Sequence, residues 1–262
     1  YALSQNLLCL QPERIKSSYQ NILDLSPDCI VTAAYGQILP KSLIERIPSI
    51  NVHGSLLPKY RGGAPIQKAL FDGEKQTGIT IMYMAEKMDS GDIIKKEALP
   101  IKETDDYGSL SEKLSHLGAR LLKDVLEDLK TKHISAYPQD ERKVSYAYTL
   151  KRADEYIDFN QKSQDIINRI RGLSPEPGGF SYINGLTIKI YKAQKNDIIA
   201  NETPGTVLSI DKKLIIQTKD GAIDILKLLV PGKKQMDAKS FLNGQTIIKK
   251  GDIFQRKEEK NE

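Results

Sequence analysis

The chain is constrained most by a regular alternation, through its first 130 residues, of short strand-like runs with helical patterns. Residues 29–34 (CIVTAA) combine apolar and β-branched side chains, which is typical of a strand covered on both faces. Helical periodicity at 11–26 and 41–46 flanks this run, and a second short strand is predicted at 49–53. Strands that alternate with helices predict an open, mostly parallel α/β sheet of the Rossmann type.

The following residues extend this predicted sheet. The pattern indicates a short helix at 66–71 and strands at 78–84 and 93–101. Ser109 and Glu112 have the spacing of a capping box, with Ser109 as the N-cap of a long amphipathic helix. The first part of the chain is therefore predicted to have enough helices to cover the sheet.

The pattern changes after residue 138. Residues 139–160 are polar and rich in tyrosine, and we expect them to form a linker. Beyond Ser163, the predicted N-cap of one more helix, short strands alternate with turns, and Asn184-Gly185 predicts a hairpin. Closing such a sheet removes its exposed edges, so 161–262 is predicted to be a small all-β barrel of the OB type. The remaining residues, 1–138, are the predicted α/β domain.

Composition excludes several classes of protein. No run of 18 apolar residues is present, so we expect no membrane-spanning helix, and no signal peptide is visible. The two cysteines, Cys9 and Cys29, and the three histidines lack the spacing of metal ligands. We therefore expect reduced cysteines, no metal, and a cytoplasmic location of the bacterial or organellar matrix type.

Three polar residues follow or end predicted strands of the first domain. Asn51 and His53 lie two residues apart at the end of one strand, so their side chains point to the same side. Asp89 opens the turn after the next strand, and ligands of open α/β sheets bind at such strand ends. A carboxylate there can orient an imidazole, and an amide N–H can stabilise an oxyanion. Each residue alone also has a structural explanation, such as an Asx turn at Asp89.

Three ordered stretches carry a family resemblance: AYGQILP at 34–40, INVHGSLLPKYRGGAPIQKAL at 50–70 and TGITIMYMAEKMDSGDII at 77–94. The chain resembles the formyltransferases that use 10-formyltetrahydrofolate, and the segment RGGAPIQKAL makes it most similar to those that act on methionyl-tRNA. The similarity extends through SPEPGGF and DGAIDILKLLVPGKKQM. It therefore spans both predicted domains.

The resemblance implies that the amino group of initiator methionyl-tRNA attacks the formyl carbon of 10-formyltetrahydrofolate, with no metal involved. It implies that Asn51 and protonated His53 donate hydrogen bonds to the oxyanion, and that Asp89 holds His53. The folate requires a flat slot with an apolar wall. The residues expected to form this slot lie in two segments: Ser55, Leu56, Leu57 and Pro58 in one, and Gln37, Ile38 and Leu39 in the other. A purely structural role for Ile38 and Leu39 is equally compatible with the sequence.

Positive charge is concentrated in the last two fifths of the chain. Residues 1–150 contain 19 basic and 19 acidic residues, whereas 151–262 contain 20 basic and 15 acidic ones. Together with the resemblance, this bias predicts that the second domain contacts the tRNA backbone. The candidate contacts of this domain are Lys192, Lys195, Lys233, Lys234, Lys249, Lys250, Arg256 and Lys257. Arg61, in a loop of the first domain, is a further candidate for contact with the acceptor strand, and a solvated loop is the alternative explanation.

Two departures from the family are visible. The chain begins at Tyr1 without the family's first strand and without a loop that reaches the tRNA acceptor end, so we expect an incomplete enzyme. Gly178-Gly179-Phe180 stands where the family often has tryptophan. Two alternatives to a monomeric tRNA formyltransferase stay open: formyl transfer to a small amine, such as a ribonucleotide or an amino-sugar nucleotide, and a non-catalytic RNA-binding remnant.

Overall fold

The computed structural model describes residues 1–131, 133–244 and 246–256. Its first sheet has four strands in the order β1-β2-β3-β4, which are Ile30–Ala33, Ser49–His53, Gln76–Tyr83 and Ile93–Pro100. The helices of this part are α1 (Ile15–Ser18), α2 (Gln20–Asp24), α3 (Lys41–Ile44), α4 (Pro65–Phe71) and α5 (Tyr107–Lys130). The α/β class predicted from the sequence is confirmed.

The strand directions differ in part from the sequence prediction. β1 and β2 are parallel, whereas β2 and β3 are antiparallel and so are β3 and β4. Parallel pairing in this four-stranded sheet is therefore limited to β1 and β2. β2, which carries Asn51 and His53, lies between a parallel and an antiparallel neighbour.

α5 covers the sheet through apolar residues spaced three or four apart. Leu110, Leu114, Leu117, Leu121 and Val125 are buried together with Ile50, Ile79 and Ile81 of the strands. Removal of this apolar surface from water stabilises the first part of the molecule. Gly118 allows α5 to approach closely, since a Cβ atom there would lie 3.1 Å from Val52.

Three predictions about helices need correction. The predicted helix at 11–26 is two short helices, α1 and α2, which pack on the cluster of Ile15, Leu39, Leu43 and Ile47. The N-cap of α5 is Asp106 rather than Ser109, because the Asp106 carboxylate accepts from the Ser109 backbone N–H, while the Ser109 hydroxyl accepts from that of Asp106. Ser163 is the first residue of its helix and not the N-cap, which is Lys162.

The second part of the chain begins with α6 (Ser163–Gly172) and continues as a six-stranded antiparallel sheet. Its strands are β5 (Gly179–Ile183), β6 (Leu186–Asn196), β7 (Val207–Ser209), β8 (Leu214–Thr218), β9 (Gly221–Leu229) and β10 (Met236–Asp237), and α7 (Ala238–Leu242) follows. The order is β5-β6-β9-β8-β7, with β10 beside β9. Asn184 and Gly185 form the predicted hairpin turn, both with positive φ.

The segment after α7 closes this sheet. The backbone N–H of Gln255 donates to the Tyr182 carbonyl on β5, and that of Phe254 donates to the Gly205 carbonyl next to β7. The two edge strands are thereby joined, as closure of a barrel requires. The predicted barrel is confirmed, whereas the domain bounds of 1–138 and 161–262 stay a prediction.

Candidate active site

The site lies at the carboxyl end of β2, where Asn51 and His53 meet the loop that contains Asp89. Parallel pairing places Asn51 opposite Thr32, and antiparallel pairing places His53 opposite Thr80. The Asp89 carboxylate, 15% exposed, lies between the two β2 side chains. Asn51, His53 and Asp89 therefore converge as predicted.

The Asp89 carboxylate accepts hydrogen bonds from both Asn51 and the backbone of Gly62. Its Oδ1 accepts from Asn51 Nδ2 at 3.3 Å, and its Oδ2 accepts from the Gly62 backbone N–H at 2.8 Å. Gly62 has a φ of +124°, and a Cβ atom there would lie 2.5 Å from the Ala147 carbonyl oxygen, so a side chain at this position would displace the donor. Asp89 itself has a φ of +49°.

His53 is held at both ring nitrogens. Nε2 lies 2.9 Å from the Tyr60 carbonyl oxygen, and Nδ1 lies 3.6 Å from Asp89 Oδ2. A carbonyl only accepts, so Nε2 carries the hydrogen, and in the neutral ring Nδ1 presents its lone pair. Burial lowers the pKa of His53 below its usual 6.5, although the Asp89 charge and the Tyr60 carbonyl oppose this effect. The ring is therefore neutral at pH 7 and can accept a proton at Nδ1.

The Asn51 amide is oriented by a residue that the sequence analysis did not identify. Thr32 Oγ1 donates to Asn51 Oδ1 at 2.8 Å. This bond fixes which end of the amide is the donor, and Nδ2 therefore points toward Asp89. Since an amide nitrogen has two hydrogens, one is left to donate to a substrate oxygen.

Gln139 is a second residue that the sequence analysis missed, having been assigned to the linker. It is 8% exposed, and its Nε2 donates to the carbonyls of Asp89 and Gly91, both at 2.8 Å. Its Oε1 accepts from Arg61 Nε and Nη2 at 3.1 and 2.9 Å. One side chain thus joins the Arg61 loop to the Asp89 turn. The isolated sequence offers no periodic signal for such a residue.

Arg61 was a candidate tRNA contact, and the structure places it inside the protein. Its side chain is 3% exposed and forms an ion pair with Glu141 at 2.7 Å in addition to its bonds with Gln139. The guanidinium therefore faces protein acceptors rather than solvent. These contacts favour a structural role, with Arg61 supporting the Asp89 turn through Gln139.

The SLLP segment is only partly available as a folate wall. Leu57 is fully buried with Met82 and Ile93, and its backbone N–H donates to Thr80 Oγ1 at 3.1 Å. Ser55 is also buried, with its hydroxyl bonded to the Lys59 carbonyl. The partly exposed members are Leu56 and Pro58.

The other predicted folate segment divides in the same way. Gln37 Oε1 accepts from the backbone N–H of Ile15 at 2.8 Å, so Gln37 holds the start of α1. Leu39 is buried, whereas Ile38 is 74% exposed. A groove of about 550 Å³ lies between β1 and helices α1 and α2, and among the predicted folate residues Leu39 alone lines it. The two segments thus do not share this groove.

The lysine candidates of the second part are exposed and lie in different places on the barrel. Lys233, Lys234, Lys249 and Lys250 belong to the barrel end that carries the Asn184-Gly185 turn, since Asn184 Nδ2 donates to the Ile247 carbonyl and β9 ends beside the start of β6. Lys195 pairs with Ile223 toward the opposite end, and Lys192 lies between, opposite Lys227. Arg256 stacks over the Tyr156 ring, and Lys257 lies outside the described residues.

Two general features of the described residues bear on function. Within 1–131, 133–244 and 246–256, no group of three or more His, Cys, Asp or Glu side chains is arranged to hold a metal ion. No helix in these ranges has both the length and the apolar character needed to cross a membrane.

Comparisons with known proteins agree with this architecture. The model of the family described as "Formyl transferase" matches residues 7–126, and that of "Formyl transferase, C-terminal domain" matches 149–246. The methionyl-tRNA formyltransferase of Bacillus subtilis is 42% identical over 99% of this chain and 84% of its own length. That of Latilactobacillus sakei is 43% identical over 93% of this chain and 78% of its own length.

Solved structures share the fold at lower identity. HypX from Aquifex aeolicus, in complex with tetrahydrofolic acid, superposes with a TM-score of 0.66 at 19% identity, covering 89% of this chain and 43% of that one. Methionyl-tRNA formyltransferase from Clostridium thermocellum superposes with a TM-score of 0.58 at 21% identity, covering 73% and 82%. From the identities to the curated relatives and the two family matches, this chain belongs to the methionyl-tRNA formyltransferase family.

Proposed function

We propose that this protein transfers the formyl group of 10-formyltetrahydrofolate to the amino group of initiator methionyl-tRNA, with Asn51, His53 and Asp89 as its catalytic residues. The reaction follows from the family. The observation that supports the residues is their convergence: Asn51 Nδ2 lies 3.3 Å and His53 Nδ1 lies 3.6 Å from the Asp89 carboxylate.

The reaction needs a proton acceptor, a proton donor and a group that stabilises negative charge. A bond forms between the amino nitrogen and the formyl carbon, and the bond from that carbon to N10 of the folate breaks. The amine loses a proton and N10 gains one, and the formyl oxygen is negatively charged in between. Positioned acid–base groups and hydrogen-bond donors accelerate such transfers.

His53 is suited to carry the proton. As a neutral ring it accepts the amine proton at Nδ1, and the cation that results lies beside the Asp89 carboxylate, with Nε2 donating to the Tyr60 carbonyl. Burial lowers the pKa of His53, which keeps the ring available as a base at neutral pH. Because Nε2–H is bonded to the Tyr60 carbonyl, Nδ1–H is the group that first donates to the oxyanion and then passes its proton to N10 as the intermediate breaks down. Asn51 supplies the first donor through its remaining amide hydrogen.

We place the folate against Ile38, Leu56 and Pro58, which are the exposed or partly exposed apolar residues of the two predicted segments. The buried residues Ser55, Leu57 and Leu39, together with the half-buried Gln37, would support these side chains from behind. Apolar side chains next to backbone hydrogen-bonding groups are typical of sites for flat ligands. The residues present therefore fit the formyl donor.

We also propose that the predicted second domain, 161–262, binds the tRNA backbone and that the protein acts as a cytoplasmic monomer. The exposed lysines at the Asn184-Gly185 end of the barrel would contact the phosphates of the tRNA, and such contacts supply affinity without base specificity. Analytical ultracentrifugation of the chain with and without tRNA tests the stoichiometry, which we expect to be one to one.

Formyl transfer to charged initiator tRNA tests the proposed function. Purified chain, 10-formyltetrahydrofolate and methionyl-tRNA should give formylmethionyl-tRNA, and the same tRNA without an amino acid should give no formylated product. An amino-sugar nucleotide and a ribonucleotide amine serve as competing acceptors. Formylation of either one in preference to methionyl-tRNA would contradict the proposal, and so would tRNA binding without any transfer.

A further inference from the structure

Tyr146 and Tyr148 form an exposed aromatic pair that the roles assigned above do not use. Their ring centroids are 5.6 Å apart and their planes differ by 1°, so the rings stack in parallel. The two residues are 47% and 68% exposed. Parallel rings that lie in solvent leave an open aromatic face, which is the surface that a planar group can cover.

The pair is attached to the active site by backbone pairing. Ala147 donates its N–H to the Arg61 carbonyl at 2.8 Å, and Arg61 donates its N–H to the Ser145 carbonyl at 2.9 Å. Ala147 is 2% exposed, so residues 146 and 148 project from the opposite face of this extended segment.

Ser145, the residue before Tyr146, is connected to His53 through Tyr60. The Tyr60 N–H donates to Ser145 Oγ at 3.0 Å, and the Tyr60 carbonyl lies 2.9 Å from His53 Nε2. Tyr60 alone therefore links the His53 ring to Ser145, the residue next to Tyr146. This short path of hydrogen bonds connects the segment that carries the tyrosine pair to the active site.

We propose that Tyr146 and Tyr148 are a stacking platform for the unpaired bases at the acceptor end of the tRNA substrate. This inference rests on the proposed function, because the reacting amine is attached to the terminal nucleotide of that end. The bases next to that terminal nucleotide must therefore lie close to His53 and Asn51. Aromatic side chains bind unpaired bases without regard to sequence, which suits an end that all tRNAs share.

The charge around the pair matches the same occupant. Residues 139–152 include four basic and two acidic residues. Arg142 and Lys143 are 88% and 75% exposed, and their neutralisation by Asp140 is only partial, because both share that single carboxylate. Single-stranded nucleic acid is bound by this combination of aromatic faces and positive charge.

Tryptophan fluorescence tests the platform without relying on catalysis. The chain has no tryptophan, so Tyr148→Trp introduces a sole reporter and keeps an aromatic ring. Titration with uncharged initiator tRNA should quench its emission. The same tRNA with its unpaired 3′ nucleotides removed should still bind, by electrophoretic mobility shift, but should leave the emission unchanged. Equal quenching by both RNAs, or no quenching by bound intact tRNA, would overturn the proposal.

Kinetics give an independent measurement. The double variant Tyr146→Ala and Tyr148→Ala should raise KM for methionyl-tRNA by about 5- to 150-fold, the loss expected for one stacked base, and should leave the salt dependence unchanged. The double Phe variant should behave as wild type. Tyr137→Ala is the matched control, since Tyr137 is also 47% exposed and has no stacked partner among the described residues.

An unchanged KM in the double alanine variant, with wild-type transfer intact, would overturn the platform and leave the proposed function standing. Absence of transfer in the wild-type protein would instead overturn the proposed function. The two failures are thus distinguishable. Thermal melting of each variant establishes that the comparison is made between folded proteins.

Discussion

Asp89 Oδ2 lies 3.6 Å from Nδ1 of His53, while the other ring nitrogen, Nε2, faces the Tyr60 carbonyl at 2.9 Å. The buried ring is therefore neutral but lies between two groups that stabilise its cation. This relationship makes His53 able to gain and release a proton within one catalytic cycle. It also gives a direct prediction about titration.

The pKa of His53 should lie below 6.5, because burial is the dominant effect. Asp89→Asn removes the charge that opposes this shift, and the pKa should therefore fall further. NMR titration of the imidazole signals measures both values, and with three histidines in the chain His53→Ala identifies the signal. A midpoint above 6.5, or a rise in the Asp89→Asn variant, would disagree with the geometry.

Asp89→Asn should also slow the reaction. The His53 cation would lose its stabilising charge, and we expect kcat to fall by at least about 10²-fold, as for loss of positioned acid–base catalysis. Asp92→Asn, an exposed change in the same loop, is the control. Steady-state rates near wild type for Asp89→Asn would show that the carboxylate does not assist His53.

Gln139→Ala should lower activity by disturbing the backbone of the Asp89 turn, although Gln139 is not one of the proposed catalytic residues. The change removes two hydrogen bonds to the Asp89 and Gly91 carbonyls and leaves Glu141 as the remaining side-chain acceptor of the buried Arg61 guanidinium. We expect the free energy of unfolding to decrease by about 1–3 kcal/mol and kcat to fall together with it. Chemical denaturation and transfer assays measure the two effects, with exposed Gln235→Ala as the control. Unaltered kcat would limit Gln139 to a structural role.

Charge reversal of Lys233, Lys234, Lys249 and Lys250 should raise KM for methionyl-tRNA and change kcat little. Phosphate contacts of this kind bind ground and transition states equally. Each lost contact should also reduce the slope of log affinity against log salt, by about 0.9 if RNA behaves like duplex DNA. Reversal of the exposed Lys123 and Lys130 on α5 is the control. If KM and slope match those of the control, the barrel lysines do not bind tRNA.

The sequence predicted that Asn51 and His53 share one side of β2, because the alternation of side chains along a strand is geometric. A strand that carries Asn51 and His53 two residues apart must present both on one side. The position of Asp89 does not follow from sheet topology, because β3 is antiparallel to β2 and ends with Tyr83 opposite Ile50. The loop after β3 has to bring Asp89 back to the side chains of Asn51 and His53. The hairpin at Asn184-Gly185 was also predictable, since both residues tolerate positive φ.

The residues that the sequence did not identify depend on contacts across long separations. Gln139 reaches Asp89 and Arg61 only after the chain folds, and neither spacing nor composition indicates that contact. Apolar character alone also could not separate Leu57, which is buried, from Leu56, which is partly exposed. At the start of α5, Asp106 and Ser109 form a cap with the same spacing as Ser109 and Glu112, and only the backbone distinguishes them.

The central claim is that Asn51 and His53 perform the chemistry at the end of β2. The most direct measurement is single-turnover formyl transfer from 10-formyltetrahydrofolate to saturating methionyl-tRNA by the Asn51→Ala and His53→Ala variants, with folding checked by thermal melting. We predict that both variants fold and that each transfers at least about 10²- to 10³-fold more slowly than wild type, the typical loss for one oxyanion donor. A folded variant of either kind that transfers the formyl group at the wild-type rate would contradict the account.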